Sequence, residues 1–390
     1  MERIEFLFWL SAFVLGYTYI GYPLLLFVLV SWKERGRSME ANSIEHYPSV
    51  TLIIAAYNEE QCIAAKLKNS LALHYPSEQL EIWVVTDGST DRTNEVVEKF
   101  PGVKLFYEPD RKGKLHAIQR VMAEVKSEWV VFTDANAILV PEAIRFLMEA
   151  GRNKEVGVVA GEKQVHANKG SGEGESMYWK YESRIKEWEG RLHSVTGTAG
   201  ELYAIRASLY TPVSAGTISD DLEIGWAVTE RGYRIAYARS AMCFEHEPDQ
   251  FPFAFRRRVR IAGGSVQSVL RLLRKGKRGW QVVFWWEVIS HRVFRSLVAP
   301  YCLVLLLVFN VGLISYQSVY VLLLLVQLSC LGIAFLFWWC KPGGILGRLM
   351  VMPFFFLMAH WAMILGAWLL MRGKQSVIWE RIPRSFPDNK

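Results

Sequence analysis

Three acidic sites recur in this chain where a strand-like stretch gives way to a loop or helix. The apolar run Leu80 to Val85 leads into Thr86-Asp87-Gly88-Ser89-Thr90-Asp91. Trp129 to Thr133 ends in Asp134-Ala135-Asn136, and Ser219-Asp220-Asp221 heads a later helical stretch. Open parallel sheets bind ligands at the carboxyl ends of their strands. Carboxylates gathered there suit a metal-held diphosphate and a general base. Asp87 can accept from a nucleotide base or ribose, or help hold the diphosphate, although Asp-Gly-Ser also makes an ordinary turn. Asp134 and Asn136 are two apart, so in an extended loop they face one side and offer two oxygens to one hard cation, more weakly than two carboxylates would.

Cations accompany these acids. Lys112-Gly113-Lys114 opens a helix, where positive charge is unfavourable unless an anion sits at the helix end. Ser219 or Asp220 can cap a helix, and Asp221 can take a proton from an acceptor hydroxyl. His246, in Phe244-Glu245-His246-Glu247, reads either as a third metal ligand or as a surface histidine. Arg256-Arg257-Arg258-Val259-Arg260 is either a basic face or a guanidinium clamp on a diphosphate.

Alternating elements must position these groups. Strands are expected at Val50–Ala56, Leu80–Thr86, Val103–Tyr107, Trp129–Thr133, Val156–Gly161 and Ile235–Ala238. Helices are expected at Gln61–Leu73, Asp91–Phe100, Lys114–Val125, Tyr178–Trp188 and Asp221–Arg231. The alternation predicts an α/β domain with a mostly parallel, Rossmann-like sheet.

Uncharged apolar stretches flank that domain: Phe6 to Trp32, Leu297 to Cys340 and Leu349 to Met371. About 20 apolar residues cross a bilayer, so these predict one, two and one helices, with the break at Ser315–Ser318. The first is too long for a cleaved signal peptide and lacks a small-residue cleavage site, so it reads as an anchor. The basic flank Lys33 to Arg37 places the following residues on the cytosolic side. The net charge is +7, and nine basic residues fall between Phe251 and Arg278 with no acid. Beside spanning helices, that pattern predicts amphipathic interface helices on anionic lipid, Trp280–Arg295 included, not nucleic-acid binding. The five cysteines show neither disulfide nor metal spacing. The expected organisation is 1–33 anchor, 48–250 catalytic domain, 251–296 interface helices, 297–371 three spans and 372–390 basic tail. Four spans would put that tail outside, yet its basic residues favour the cytosol. Either an interface segment spans or the last apolar stretch re-enters.

In this order the motifs resemble those of the membrane-bound family 2 glycosyltransferases, the relatives of cellulose synthase, hyaluronan synthase and poly-N-acetylglucosamine synthase. The resemblance runs from Pro48 to Gly264 and into the flanking helices. It implies a GT-A fold, a nucleotide-sugar donor (a UDP-sugar in the first place), Mg2+ or Mn2+, and inversion at the anomeric carbon. Ala56, Tyr57, Glu59 and Asp87 match the nucleotide-contacting loops, with Lys114, Arg257 and Arg260 near the diphosphate. Asp134, Ala135 and Asn136 stand at the metal motif, with His246 as a further ligand. Gly197 to Arg206 is similar to the acceptor-side loop, and Asp221 stands at the base. Where processive members carry Gln-x-x-Arg-Trp, this chain has Arg257-Arg258-Val259-Arg260-Ile261. The arginine is kept, but Ile261 replaces the sugar-stacking tryptophan, which speaks against processive synthesis. Expected partners are a glycan or lipid-linked acceptor, membrane lipids, and a second copy or accessory export subunit. The expected place is a bacterial or archaeal cytoplasmic membrane. The competing reading is a catalytically silent, membrane-anchored nucleotide-sugar sensor. A transporter is disfavoured, because the spans hold almost no ionisable residue except His360.

Overall fold

The structure, a computed structural model, describes residues 1–35, 46–166, 172–246, 251–276, 281–340 and 342–375. Eight strands form one sheet: β1 (Val50–Ala56), β2 (Leu80–Asp87), β3 (Val103–Glu108), β4 (Trp129–Asp134), β5 (Ile138–Leu139), β6 (Val156–His166), β7 (Leu202–Arg206) and β8 (Arg234–His246). Their order is β3-β2-β1-β4-β7-β6-β8-β5. The first four strands in that order are parallel, β7 is antiparallel to both neighbours, and β6 runs parallel to β8. Every residue of β1 is buried, as expected of a central strand covered on both faces. Leu52 and Ile54 pack with Ile63 and Leu67 on one face, while Ile53 joins Trp83, Ala117 and Ile118 on the other.

The register brings the functional strand ends level. Ala55 lies opposite Asp134, Ala56 opposite Thr86, and Asp87 opposite Glu108. Three strands differ from expectation. β6 and β8 run on past Gly161 and Ala238 through charged residues, which interrupt the apolar pattern but pair across a register shift at Gly161/Glu162. The segment expected as an acceptor-side loop contains strand β7, whose Leu202–Ile205 is buried between β4 and β6.

Four helices are long and apolar enough to cross a membrane: Glu2–Lys33, Val282–Leu313, Ser318–Cys340 and Gly344–Met371. The connection between the second and third, residues 314–317, overlaps the break expected at Ser315–Ser318. The boundary expected at residue 297 lies inside the continuous helix Val282–Leu313. The Lys33 end of the first helix meets the sheet domain, where its Nζ donates to the carbonyls of Arg191 and Leu192 at 3.0 and 2.6 Å. The opposite end packs Phe8 with Leu313 and Tyr320.

The last helix lies alongside the basic helix Phe251–Lys275. Phe251 meets Phe354, and the backbones touch so closely at Gly263 and Gly366 that a Cβ on Gly366 would fall 2.7 Å from Gly263 N. Gln375 Nε2 then donates to the Arg260 carbonyl at 3.2 Å. Residues after Met371 therefore start on the sheet-domain side, the side their basic charges favour. Most of the tail, including Val377–Arg381, lies outside the described residues.

Candidate functional site

The loops after β1 and β2 are laced together by side chains bonded to backbone. Asn58, at φ 54°, receives a hydrogen bond from Thr90 N at 2.8 Å and donates its own N–H to Ser89 Oγ at 3.1 Å. Glu59 N donates to Thr93 Oγ1 at 2.8 Å, and Glu60 N to Asp91 Oδ2 at 3.2 Å. The Tyr57 ring is covered by the Arg111 guanidinium, 3.6 Å from its centroid. Gly88, at φ +66°, lets the chain turn with Arg111 against it; a Cβ there would lie 2.8 Å from Arg111 N.

Asp87 serves this loop system. Its Oδ1 accepts from Lys112 N at 2.8 Å and its Oδ2 from Gly113 N at 2.7 Å. The carboxylate expected to meet the nucleotide thus holds the turn that launches the next helix. Gly113, at φ +98°, completes that turn, and Lys114 begins the helix. The two lysines of the motif part company. Lys112 pairs with Glu108, whereas Lys114 Nζ meets Asp134 Oδ1 at 2.5 Å.

Asp134 sits at the end of β4 and is buried. Burial pushes its carboxyl pKa up against the pull of Lys114, and the charges of Glu201 and Glu245 push the same way. Burial works to lower the Lys114 pKa, but Asp134, Asp220 and Asp221 outweigh it and hold the ammonium charged. Beneath the Asp134 turn, the fully buried Lys66 donates to Thr133 Oγ1 at 3.0 Å and to the Ala137 carbonyl at 2.5 Å. Burial draws its pKa down to about 7. Ala56 and Ala135 belong to the core under this edge.

Asp220 and Asp221 open the helix Asp220–Glu230. Ser219 stands at its N-cap without making a side-chain cap bond. Asp221 is half-buried against the Ala199–Glu201 turn; an ideal Cβ on Gly200 would lie 3.7 Å from its Cγ. Burial, then Asp220 and Glu201, push its pKa up to about 7, with Lys114 opposing. From the basic helix, Arg260 reaches the same place. Burial and Arg257 lower its pKa, while Asp220, Asp134 and Asp221 act to raise it. Asp134 and Asp221, far apart in the chain, thus share Lys114 and Arg260. Asp87 joins them through the Lys112–Gly113 turn.

A neighbouring charge cluster escaped the sequence reading. Lys163 on β6 is 3% exposed and bridges Glu201 and Glu245. Arg257 caps the same two glutamates at 3.1 and 3.0 Å. The signals were present: Glu201 ends the acceptor-loop motif, Glu245 precedes His246, and Lys163 stands among charges in an otherwise apolar strand. The arginine expected at the diphosphate is thus held by carboxylates. Asn136 donates its amide nitrogen to Glu245 Oε1 at 2.9 Å, so its side chain is tied to this cluster. Among the described residues no three His, Cys, Asp or Glu side chains gather as a metal site. The His246 side chain lies outside the described residues.

Comparison with known proteins follows this geometry. The family described as "Glycosyltransferase like family 2" matches residues 48–264. Poly-beta-1,6-N-acetyl-D-glucosamine synthase of Staphylococcus aureus is 27% identical over 281 residues, 70% of this chain and 67% of that protein. The Bacillus subtilis protein named "Probable glycosyltransferase YdaM" is 29% identical over 258 residues, 62% of this chain and 60% of that protein. A mannosyltransferase from Pyrobaculum calidifontis, solved with GDP-Man and Mn2+, superposes with a TM-score of 0.73 at 22% identity, covering 93% of this chain and 99% of its own.

Proposed function

The chain belongs to glycosyltransferase family 2 and carries its GT-A fold, and from that premise we propose that it moves a sugar from a nucleotide-sugar to a hydroxyl of a glycan or lipid-linked glycan, with inversion. The supporting observation is the half-buried Asp221 beside the Gly200 turn, in the shared field of Lys114 and Arg260. A carboxyl titrating at about 7 is matched to general-base work near neutral pH. Asp221 takes the acceptor hydroxyl's proton. The oxygen then attacks the anomeric carbon from the face opposite the leaving nucleoside diphosphate, the sugar–phosphate bond breaks, and its electrons stay with the diphosphate. Lys114 and Arg260 stand ready to offset that charge, where preorganised electrostatics contribute most.

A divalent cation fits this donor set. Asp134 is a buried hard-oxygen donor, and Mg2+ is commonly held by one or two carboxylates together with substrate phosphates, without an all-protein cage. Asp134 is the residue that would hold it, and when bound the ion supplies Lewis-acid neutralisation of the diphosphate. The Mn2+ in the Pyrobaculum structure supports this reading. In this reading the sheet domain faces the cytosol, the side favoured by Lys33 and Arg35 at the end of the first helix.

The test is a panel of nucleotide-sugars, UDP-N-acetylglucosamine and GDP-mannose among them, incubated with purified protein and Mg2+ or Mn2+, with product sizing. Release of nucleoside diphosphate coupled to a glycosylated product supports the reading. Tight donor binding with no turnover under any condition would leave the silent sensor instead.

A further inference from the structure

Strand β7 brings a phenol into the core beneath the site. Tyr203 stands opposite Phe132 in the register with β4, and the two rings lie 4.9 Å apart. Phe132 is two residues before Asp134. Tyr203 is 2% exposed and packs in the cluster that holds Ala117, Ile118, Ile224 and Val228. Ile118 follows Lys114 by four residues in the helix Lys114–Val121, and Ile224 follows Asp220 by four in the helix Asp220–Glu230. Four residues make roughly one turn, so the ring sits about 5.4 Å beneath two helix starts. Those starts carry Lys114 and the Asp220–Asp221 pair. The hydroxyl points toward them, because Asp220 and Asp221 are the charges that act on it most, and Asp134 acts on it as well.

Among the described residues nothing hydrogen-bonds this hydroxyl. Tyr210, whose phenol also acts on it, keeps its own hydroxyl unbonded, so the two phenols do not satisfy each other. A hydroxyl buried without a partner costs stability, and phenylalanine would fill the same space without that cost. Burial, then Asp220 and Asp221, push the phenol pKa well above its ordinary value. The group therefore stays a neutral O–H wherever Asp221 can act as a base.

In the displacement described above, the attacking oxygen lies at Asp221 and the leaving oxygen on the cation side, at Asp134. The anomeric carbon and its sugar ring must lie between them. Tyr203 is acted on by the carboxylates at both ends of that line. We propose that its hydroxyl hydrogen-bonds a hydroxyl of the transferred sugar and so helps select the donor. A buried polar group left unpaired until the matching sugar arrives discriminates strongly against a sugar that lacks the match. This inference rests on the transferase reading and adds a residue that reads the donor's sugar and not its nucleotide.

Calorimetric titration of full-length protein in detergent with Mn2+ tests it, using UDP-N-acetylglucosamine, UDP-glucose and GDP-mannose against UDP and GDP. Y203F should bind the nucleotide-sugar that the wild type prefers about tenfold more weakly, the effect of one lost hydrogen bond whose partner is left unpaired. Its affinity for the matching nucleoside diphosphate should stay within about twofold, which also shows that the variant folds. Its thermal midpoint should not fall, since the phenyl ring keeps the packing. Unchanged nucleotide-sugar affinity, an equal loss for the nucleoside diphosphate, or a lowered midpoint would overturn the proposal. So would wild-type protein that holds UDP or GDP but gains nothing specific from any of the three sugars. Wild-type protein that holds none of the five ligands would sink the transferase reading itself.

Discussion

The two sides of the candidate site are built from different materials. Around Asn58, Asp87 and Gly113, loop meets loop through side chains bonded to backbone N–H groups. Around Asp134, Glu201, Glu245 and Asp221, the contacts are buried charges facing one another. Backbone stitching sets the shape of loops and tolerates water. Buried charges set protonation states, and removing one partner leaves the other stranded. The first side suits holding a donor in place; the second suits moving protons and offsetting charge.

The largest expected effect follows from the second side. Asp221→Asn should lower transfer by roughly 10²- to 10⁴-fold, the usual range for a general base, with donor affinity changed only slightly. A steady-state assay with donor titration measures both, and near-normal turnover would break the contrast. Lys163→Met comes next. It strands Glu201 and Glu245 and should cost about 3–5 kcal/mol of stability, read as a lowered thermal midpoint in detergent. An unchanged midpoint would show that Arg257 alone balances the pair.

The pH profile separates activity from stability. Asp221 must be deprotonated to act, so activity should rise as pH passes through about 7. Because its folded-state pKa is raised, the folded state binds more protons than the unfolded chain between the usual carboxylate range and about 7. Its contribution to stability is therefore full at low pH and lost as pH rises through that window. Asp221→Asn should flatten this part of both curves; profiles unchanged by that substitution would assign them to other groups.

Smaller effects belong to the stitched side. Asp87→Ala removes two acceptors from backbone N–H groups. Bonds to a charged group contribute about 1.5–3 kcal/mol each, so donor affinity should fall about tenfold, while turnover at saturating donor stays within a few-fold. Tyr57→Ala removes the Arg111 stack, worth about 0.5–1 kcal/mol at an exposed position. Calorimetric titration of nucleoside diphosphate should show a two- to fivefold weakening. A collapse of turnover in either variant would erase the distinction between the two sides.

Much of this architecture was legible in the chain. Strands β1, β2 and β4 are largely apolar runs of the kind a doubly covered parallel sheet requires, and the ends of β2 and β4 carry Asp87 and Asp134. The apolar helices announce themselves by length. The far halves of β6 and β8 were hidden because their charges satisfy one another, which a linear pattern does not reveal, and β7 is a short apolar run inside a segment whose motif resembled a loop. Lys163 illustrates the point: in sequence it looks like the polar end of a strand, yet it lies buried between two glutamates.

The sequence by itself determined which residues could be acids, bases and cations, and which segments had to be buried in protein or lipid. Residue type and local period carry that information. Tertiary structure alone decided the pairings: that Lys114 and not Lys112 faces Asp134, that Asp87 holds a turn, that Arg257 belongs to Glu201 and Glu245, and that Glu182 and Glu189 close on His291. Those outcomes depend on distances of a few ångströms between residues remote in the chain. At that range burial and charge, which vary steeply with position, settle what each group does.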